Sequence, residues 1–152
     1  MAEHPKLTAA LAFFADGYSP WPVVPGDKMP MRVNGRTWGG RRHEPLTDAE
    51  IRKTWGGRNP PDIGLVIREG HFVIDLDPKN NPAVTAMFDD LLAVTRCAHT
   101  PSGGLHAYFS CTGKHPVERP ALGVDVQGFG AFVVAPPSRD RRWANDLPEA
   151  FR

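Results

Sequence analysis

A chain of 152 residues, 41% of them hydrophobic and 23% charged, is long enough to bury the core of one domain, and its formal net charge of +1 excludes an overall polycation. Any nucleic-acid contact must therefore come from local charge. Two cysteines exclude a disulfide framework, and with neither a signal peptide nor a long apolar run the chain reads as intracellular, with no membrane segment.

"KLTAALAFFADGY", residues 6–18, carries apolar residues at helical spacing and Gly17 where a helix stops. "WPVVPGDKMP" follows as a short strand broken by prolines. Residues 28–43, "KMPMRVNGRTWGGRRH", then hold five Lys or Arg and no acid, with no regular period, and read as a basic loop. In "TDAEIRKTW", 47–55, Thr47 and Glu50 form the two halves of a capping box ahead of Ile51, and Trp55 is expected in the core. "IGLVI", 63–67, and "HFVID", 71–75, are β-rich runs separated by "REG", the pattern of a hairpin. Residues 81–96 place Val84, Met87, Phe88, Leu91 and Leu92 on one helical face, with Pro82 in the first turn. "LHAYFSC", "LGVDVQG" and "AFVVAPP" are three more strands. This order predicts an α+β or mixed-sheet fold with helices over one face.

Three strand carboxylates stand out. Residues two apart on a strand share a face, about 6.5–7 Å apart, so Asp75 and Asp77 in "HFVIDLDP" face together. Burying two unpaired carboxylates would cost several kcal/mol each, so the strand is expected to emerge there, as Pro78 suggests. A D-x-D at a strand end suits a hard divalent cation, but alone it is a weak signal, better explained by Asp77 as an N-cap or turn former beside Pro78 and Asn80. In "TPSGGLHAYF" the backbone at Gly103 and Gly104 is open to close approach by a ligand, Ser102 and the loop amides can line an anion site, and His106 can reach it; a plain hairpin turn is the simpler reading of S-G-G alone. Asp125 lies between Val124 and Val126, facing opposite to both. Cys97, His99, Cys111 and His115 make C-x-H and C-x-x-x-H pairs, but the spacing matches no common zinc finger and the cysteines read as small apolar residues.

Taken in order, "GYSPWPVVP" with Lys28 and Pro30, "DIGLVI", "VIDLD", "TPSGGLHAYF" and "GVDVQGFGAFVVAPPS" resemble the bifunctional primase/polymerase (prim-pol) domains of the archaeo-eukaryotic primase superfamily, found in replication proteins of phages and plasmids. The resemblance spans most of the chain. It implies a single catalytic domain over 1–152, the N-terminal part of a longer primase-helicase working in the cytoplasm of a bacterial host cell. The implied fold is α+β, a small N-terminal α/β lobe packed on a mixed sheet like that of an RNA-recognition motif, with the active site between them.

The implied reaction is template-directed nucleotidyl transfer on single-stranded DNA from NTPs or dNTPs, making or extending primers. Asp75, Asp77 and Asp125 would hold two Mg²⁺ or Mn²⁺ ions, with His106 beside them in the catalytic set and no organic cofactor. Ser102, Gly103, Gly104, His106 and Lys28 would hold the triphosphate. Arg32, Arg36, Arg41 and Arg42, with Trp38 as a stacking ring, and Arg139, Arg141 and Arg142 would track the template. Many relatives carry a basic residue where this chain has Gln127. Two other readings suit parts of the pattern: a metal-dependent nuclease, which three carboxylates and a His would serve, and a DNA-binding replication-initiation module that keeps the fold without the chemistry.

Overall fold

The computed structural model describes residues 2–152. In chain order the elements are α1 (Pro5–Ala15), β1 (Ser19–Val23), a 3₁₀ turn (Gly40–Arg42), α2 (Asp48–Trp55), β2 (Asp62–Val66), β3 (His71–Leu76), a 3₁₀ segment (Pro82–Met87), α3 (Phe88–Val94), β4 (Arg96–His99), β5 (Leu105–Ser110), β6 (Glu118–Ala121), β7 (Val124–Gln127), β8 (Phe132–Ala135), β9 (Arg142–Trp143) and β10 (Ala150–Phe151). Two sheets result: an antiparallel three-stranded sheet in the order β1-β2-β8, and a seven-stranded sheet in the order β6-β7-β3-β5-β4-β9 with β10 added parallel to β5. The fold is α+β.

Both early helices form as the sequence dictates. Pro5 opens α1, the His4 ring accepts the Lys6 N–H, and Leu7, Ala10 and Phe13 turn inward, while Gly17 at φ +96° lets the chain leave. In α2 both halves of the Thr47–Glu50 capping box are present, and Ile51 and Trp55 are fully buried.

The expected hairpin of residues 63–75 does not form. β2 pairs with β1 and β8, whereas β3 pairs with β5 and β7 in the other sheet. The reason lies in "REG": Ile67 still bonds the backbone of Ala131 and Gly130, while Gly70, at φ +89°, bonds Gly113 and Cys111, so the connection hands the chain from one sheet to the next. The expected helix 81–96 is also shorter. Asn81 caps a 3₁₀ start, and only residues 88–94 are α-helical. Thr95 is buried, its hydroxyl donating to the Tyr108 carbonyl, and Arg96 onward joins β5 as a strand.

Alternation divides the large sheet's side chains between two cores. Val73, Ala98 and Tyr108 face α1, α2 and the three-stranded sheet, in a core with Trp21, Trp55 and Leu65. Phe72, Leu76, Leu105, Phe109, Val124 and Val126 face the other way and pack with Phe88, Leu91 and Leu92. Helices thus cover both faces, not one. Each large side chain removed from water contributes about 1.5–3 kcal/mol, so neither face can slip by one residue without losing its core.

Candidate active site

β3 explains how a strand can carry a carboxylate. The face that is sealed core at Val73 has reached the edge of that core at Asp75, whose side chain is 28% exposed. Asp125 of β7 and His106 of β5 stand directly opposite Asp75 in the two flanking registers, so the three project from one face as a row across the sheet. His106 Nε2 lies 3.3 Å from Asp75 Oδ1. A carboxylate only accepts, so Nε2 carries the hydrogen; Nδ1 is buried with no partner in the protein. Burial pushes the Asp75 carboxyl up, but hydrogen bonds from His106 and Gln127 and the nearby Lys28 charge outweigh it and hold Asp75 below the ordinary aspartate value.

The row opens on a cleft of about 440 Å³ between the large sheet and the β8 edge of the small one. Lys28, Lys79, Ser102, His106, Gln127, Phe132 and Arg141 line it together with Asp75. Three cations against one carboxylate leave it positive. Asp62, 1% exposed, holds two of these cations indirectly: it accepts from the Gly26 N–H (2.8 Å), two residues before Lys28, and from the Arg139 N–H (3.2 Å), two before Arg141, while pairing with Lys6 at 2.9 Å. Ser138 adds a buried clamp, its hydroxyl accepting the Ile63 N–H at 2.8 Å.

The Thr100–Gly104 turn is internally bonded. The Gly103 N–H donates to the Thr100 carbonyl and the Gly104 N–H to Thr100 Oγ1, so those two amides are engaged within the loop, and Ser102 is the residue of "SGG" that lines the cleft. Gly104 has a packing reason: a Cβ there would stand 2.5 Å from the Leu76 carbonyl oxygen. Asp77 is not a cleft residue here. Its oxygens accept from the Lys79 N–H (3.0 Å) and the Asn80 side-chain amide (3.1 Å), which makes it a turn former. Asp125 is 40% exposed and 3.5 Å from the exposed Arg119.

The arginines divide. Arg32, Arg41, Arg42, Arg139 and Arg142 are exposed, as a template surface requires. Arg36 is tied to Glu50 at 3.1 Å and lies over Trp21, which makes it a brace. Arg141, only 9% exposed, donates to the Val134 carbonyl inside the cleft, where burial lowers its pKa and Asp75 and Asp62 act the other way. Trp38 is half-buried against Phe132. The zinc pattern is not assembled: Cys97 is buried, its thiol pushed up to about 11 by burial, and among the described residues no three or more His, Cys, Asp or Glu side chains gather as a metal-binding group.

The model of the bifunctional DNA primase/polymerase N-terminal domain matches residues 10–150. The chain belongs to the Prim-Pol family. No curated protein matches it. DNA primase/polymerase activity is the general function of Prim-Pol domains, and the match takes in every cleft residue described above.

Whether the Prim-Pol cleft suits divalent ions turns on its donors. Asp75 and Asp125 are cross-strand neighbours and offer the hard oxygen atoms that Mg²⁺ and Mn²⁺ take, with Asp75 kept ionised by its surroundings. Their chemistry suits such an ion, but the site is not assembled: Asp125 lies outside the cleft lining beside Arg119, Asp77 is held in its turn, and among the described residues these acids and His106 do not gather as a metal-binding group. Reading the sequence missed Lys79, Asp62 and Phe132. Lys79 directly follows "DLDP" and was legible as a flanking cation, whereas Asp62 and Phe132 look like ordinary strand residues.

Proposed function

We propose that this Prim-Pol domain carries out template-directed nucleotidyl transfer on single-stranded DNA, making primers or extending them from nucleoside triphosphates, as the N-terminal part of a longer replication protein with a helicase domain in a bacterial cytoplasm. The observation that carries the reading is the Asp125–Asp75–His106 row beside a cleft whose other charges are Lys28, Lys79 and Arg141. That pairing of acid and base suits a reaction in which a hydroxyl attacks a polyphosphate held at the same place.

Asp75 and Asp125, with Asp77 if its turn opens, would hold two Mg²⁺ or Mn²⁺ ions; bound there, these supply a lowered hydroxyl pKa and neutralise charge on the reacting phosphate. The chain's own groups do the positioning. Arg141, Lys28 and Lys79 bind and orient the triphosphate, and the buried Arg141, fixed by the Asp62 and Ser138 contacts around it, sets its place with least conformational cost. His106 fixes the Asp75 carboxylate through Nε2, while its Nδ1 faces inward, buried from the cleft. Ser102 caps the near wall. The exposed Arg32, Arg41, Arg42, Arg139 and Arg142 give the template a sequence-independent grip.

The test is incorporation of labelled nucleotides on unprimed and primed single-stranded DNA with Mg²⁺ or Mn²⁺, comparing wild type with Asp75→Ala. Metal-dependent products that vanish in the variant are expected. DNA shortening without added nucleotides would replace this reading with a nuclease, and DNA binding without synthesis from either template would replace it with an initiation module.

A further inference from the structure

Phe132 is the only phenyl ring lining the cleft among the described residues, and the chain makes room for it. It starts β8, opposite Val66, and the tip of its ring lies over β2 where a side chain would otherwise stand: a Cβ at Gly64 would be 2.1 Å from Phe132 Cζ and 2.8 Å from both Cε atoms. Trp38 braces it from the basic loop, ring centroids 5.2 Å apart. The ring is still only half-buried, on a wall shared with Val133 and Val134, whereas Lys28, Lys79 and Arg141 make the polar part of the same cleft. A ligand that matches such a cavity is anionic at one end and a flat aromatic at the other.

We propose that Phe132 is the stacking platform for the base of the bound nucleoside triphosphate, with Gly64 required to seat the ring. The proposal rests on the nucleotide-binding reading above and extends it to a specific contact. Stacking on a phenyl face accepts all four bases, because each has a π-face, so the platform holds a nucleotide while leaving the choice of base to the template.

Binding of ATP and of inorganic tripolyphosphate, each with Mg²⁺, to the intact chain separates the base from the phosphates. Phe132→Ala and Gly64→Ala are both expected to weaken ATP about tenfold or more, within the range that loss of one base–aromatic stack produces, with tripolyphosphate unchanged. Phe132→Leu, which keeps apolar bulk without the ring, should fall with Phe132→Ala. Retained tripolyphosphate binding reports an intact fold, so a Gly64→Ala chain that fails to fold leaves the Phe132 series to decide. Unchanged ATP affinity in Phe132→Ala, or equal loss for both ligands, overturns the platform and leaves the proposed function standing. Wild-type protein that binds neither ligand overturns both.

Discussion

At the scale of single residues, Asp75 and His106 form the unit on which the chemistry would turn. Burial alone would raise the Asp75 carboxyl; it is the His106 contact first, then Gln127 and Lys28, that brings it below its usual value. In His106→Ala the burial effect is opposed by less, so in the metal-free protein the Asp75 carboxyl should titrate at higher pH than in wild type, as followed by NMR. An unmoved titration would remove His106 as the cause of the shift. The carboxylates at positions 75 and 125 could be singled out from the sequence because an acid inside a β-branched run violates the alternation around it. Arg141 could not: its neighbours Arg139 and Arg142 are exposed, and only the turn built on Ser138 and Asp62 carries it into the cleft.

At the scale of elements, the Thr100–Gly104 turn shows why a glycine pair can be necessary without touching a ligand. Gly104 lies against the end of β3, and Gly104→Ala would force Leu76 or Thr100 aside, an overpacking that costs about 1–3 kcal/mol. Urea denaturation should show that loss, and the displaced β3 end should lower activity too; full stability would mean the turn yields freely. The basic loop makes a second case. Arg41 and Arg42 are exposed on its 3₁₀ turn while Arg36 is paired with Glu50 and Glu44. Arg41→Ala with Arg42→Ala should therefore flatten the salt dependence of single-stranded DNA binding by about 1.4 in log–log slope. Arg36→Ala should cost stability and leave the slope unchanged, and a slope change in Arg36→Ala alone would reverse the assignment.

At the scale of the whole molecule, the C-terminal segment is fastened by a buried polar knot. Glu149 accepts from Tyr18, from Ser110 at 2.9 Å and from His71 at 3.0 Å, while the other His71 nitrogen donates to the Asp16 carbonyl. With acceptors at both ring nitrogens, His71 donates to both only as an imidazolium, beside an ionised carboxylate. Burial raises Glu149, but these hydrogen bonds hold it below its ordinary value; burial lowers His71, but Glu149 and the Asp16 carbonyl raise it above. The Glu149 contribution is thus present above the usual glutamate value and lost as pH falls through its depressed native pKa. The His71 contribution is full below the usual histidine value and lost as pH rises through its elevated one. The stability difference between wild type and Glu149→Gln should be greatest between about pH 4.3 and 6.5 and shrink on either side. A difference that does not vary with pH would rule out the ion pair. No helix among the described residues is long and apolar enough to cross a membrane.

What the sequence by itself determined was local: the capping box of α2, the face alternation that marks Asp75 and Asp125, the basic loop and the family to which these motifs belong. Each motif depends on residues a few positions apart, where period and turn chemistry act directly, and the family shows in their order along the chain. Which strand pairs with which was decided by the tertiary structure. β2 and β3, three connecting residues from a hairpin in the sequence reading, belong to different sheets because their partners β8, β5 and β7 lie far along the chain and offer each its own core. The cleft is a product of that separation: the large sheet supplies Asp75 and His106, the edge of the small sheet supplies Phe132, and Asp62, which reads as an unremarked strand end, ties down the loops that bring Lys28 and Arg141 between them.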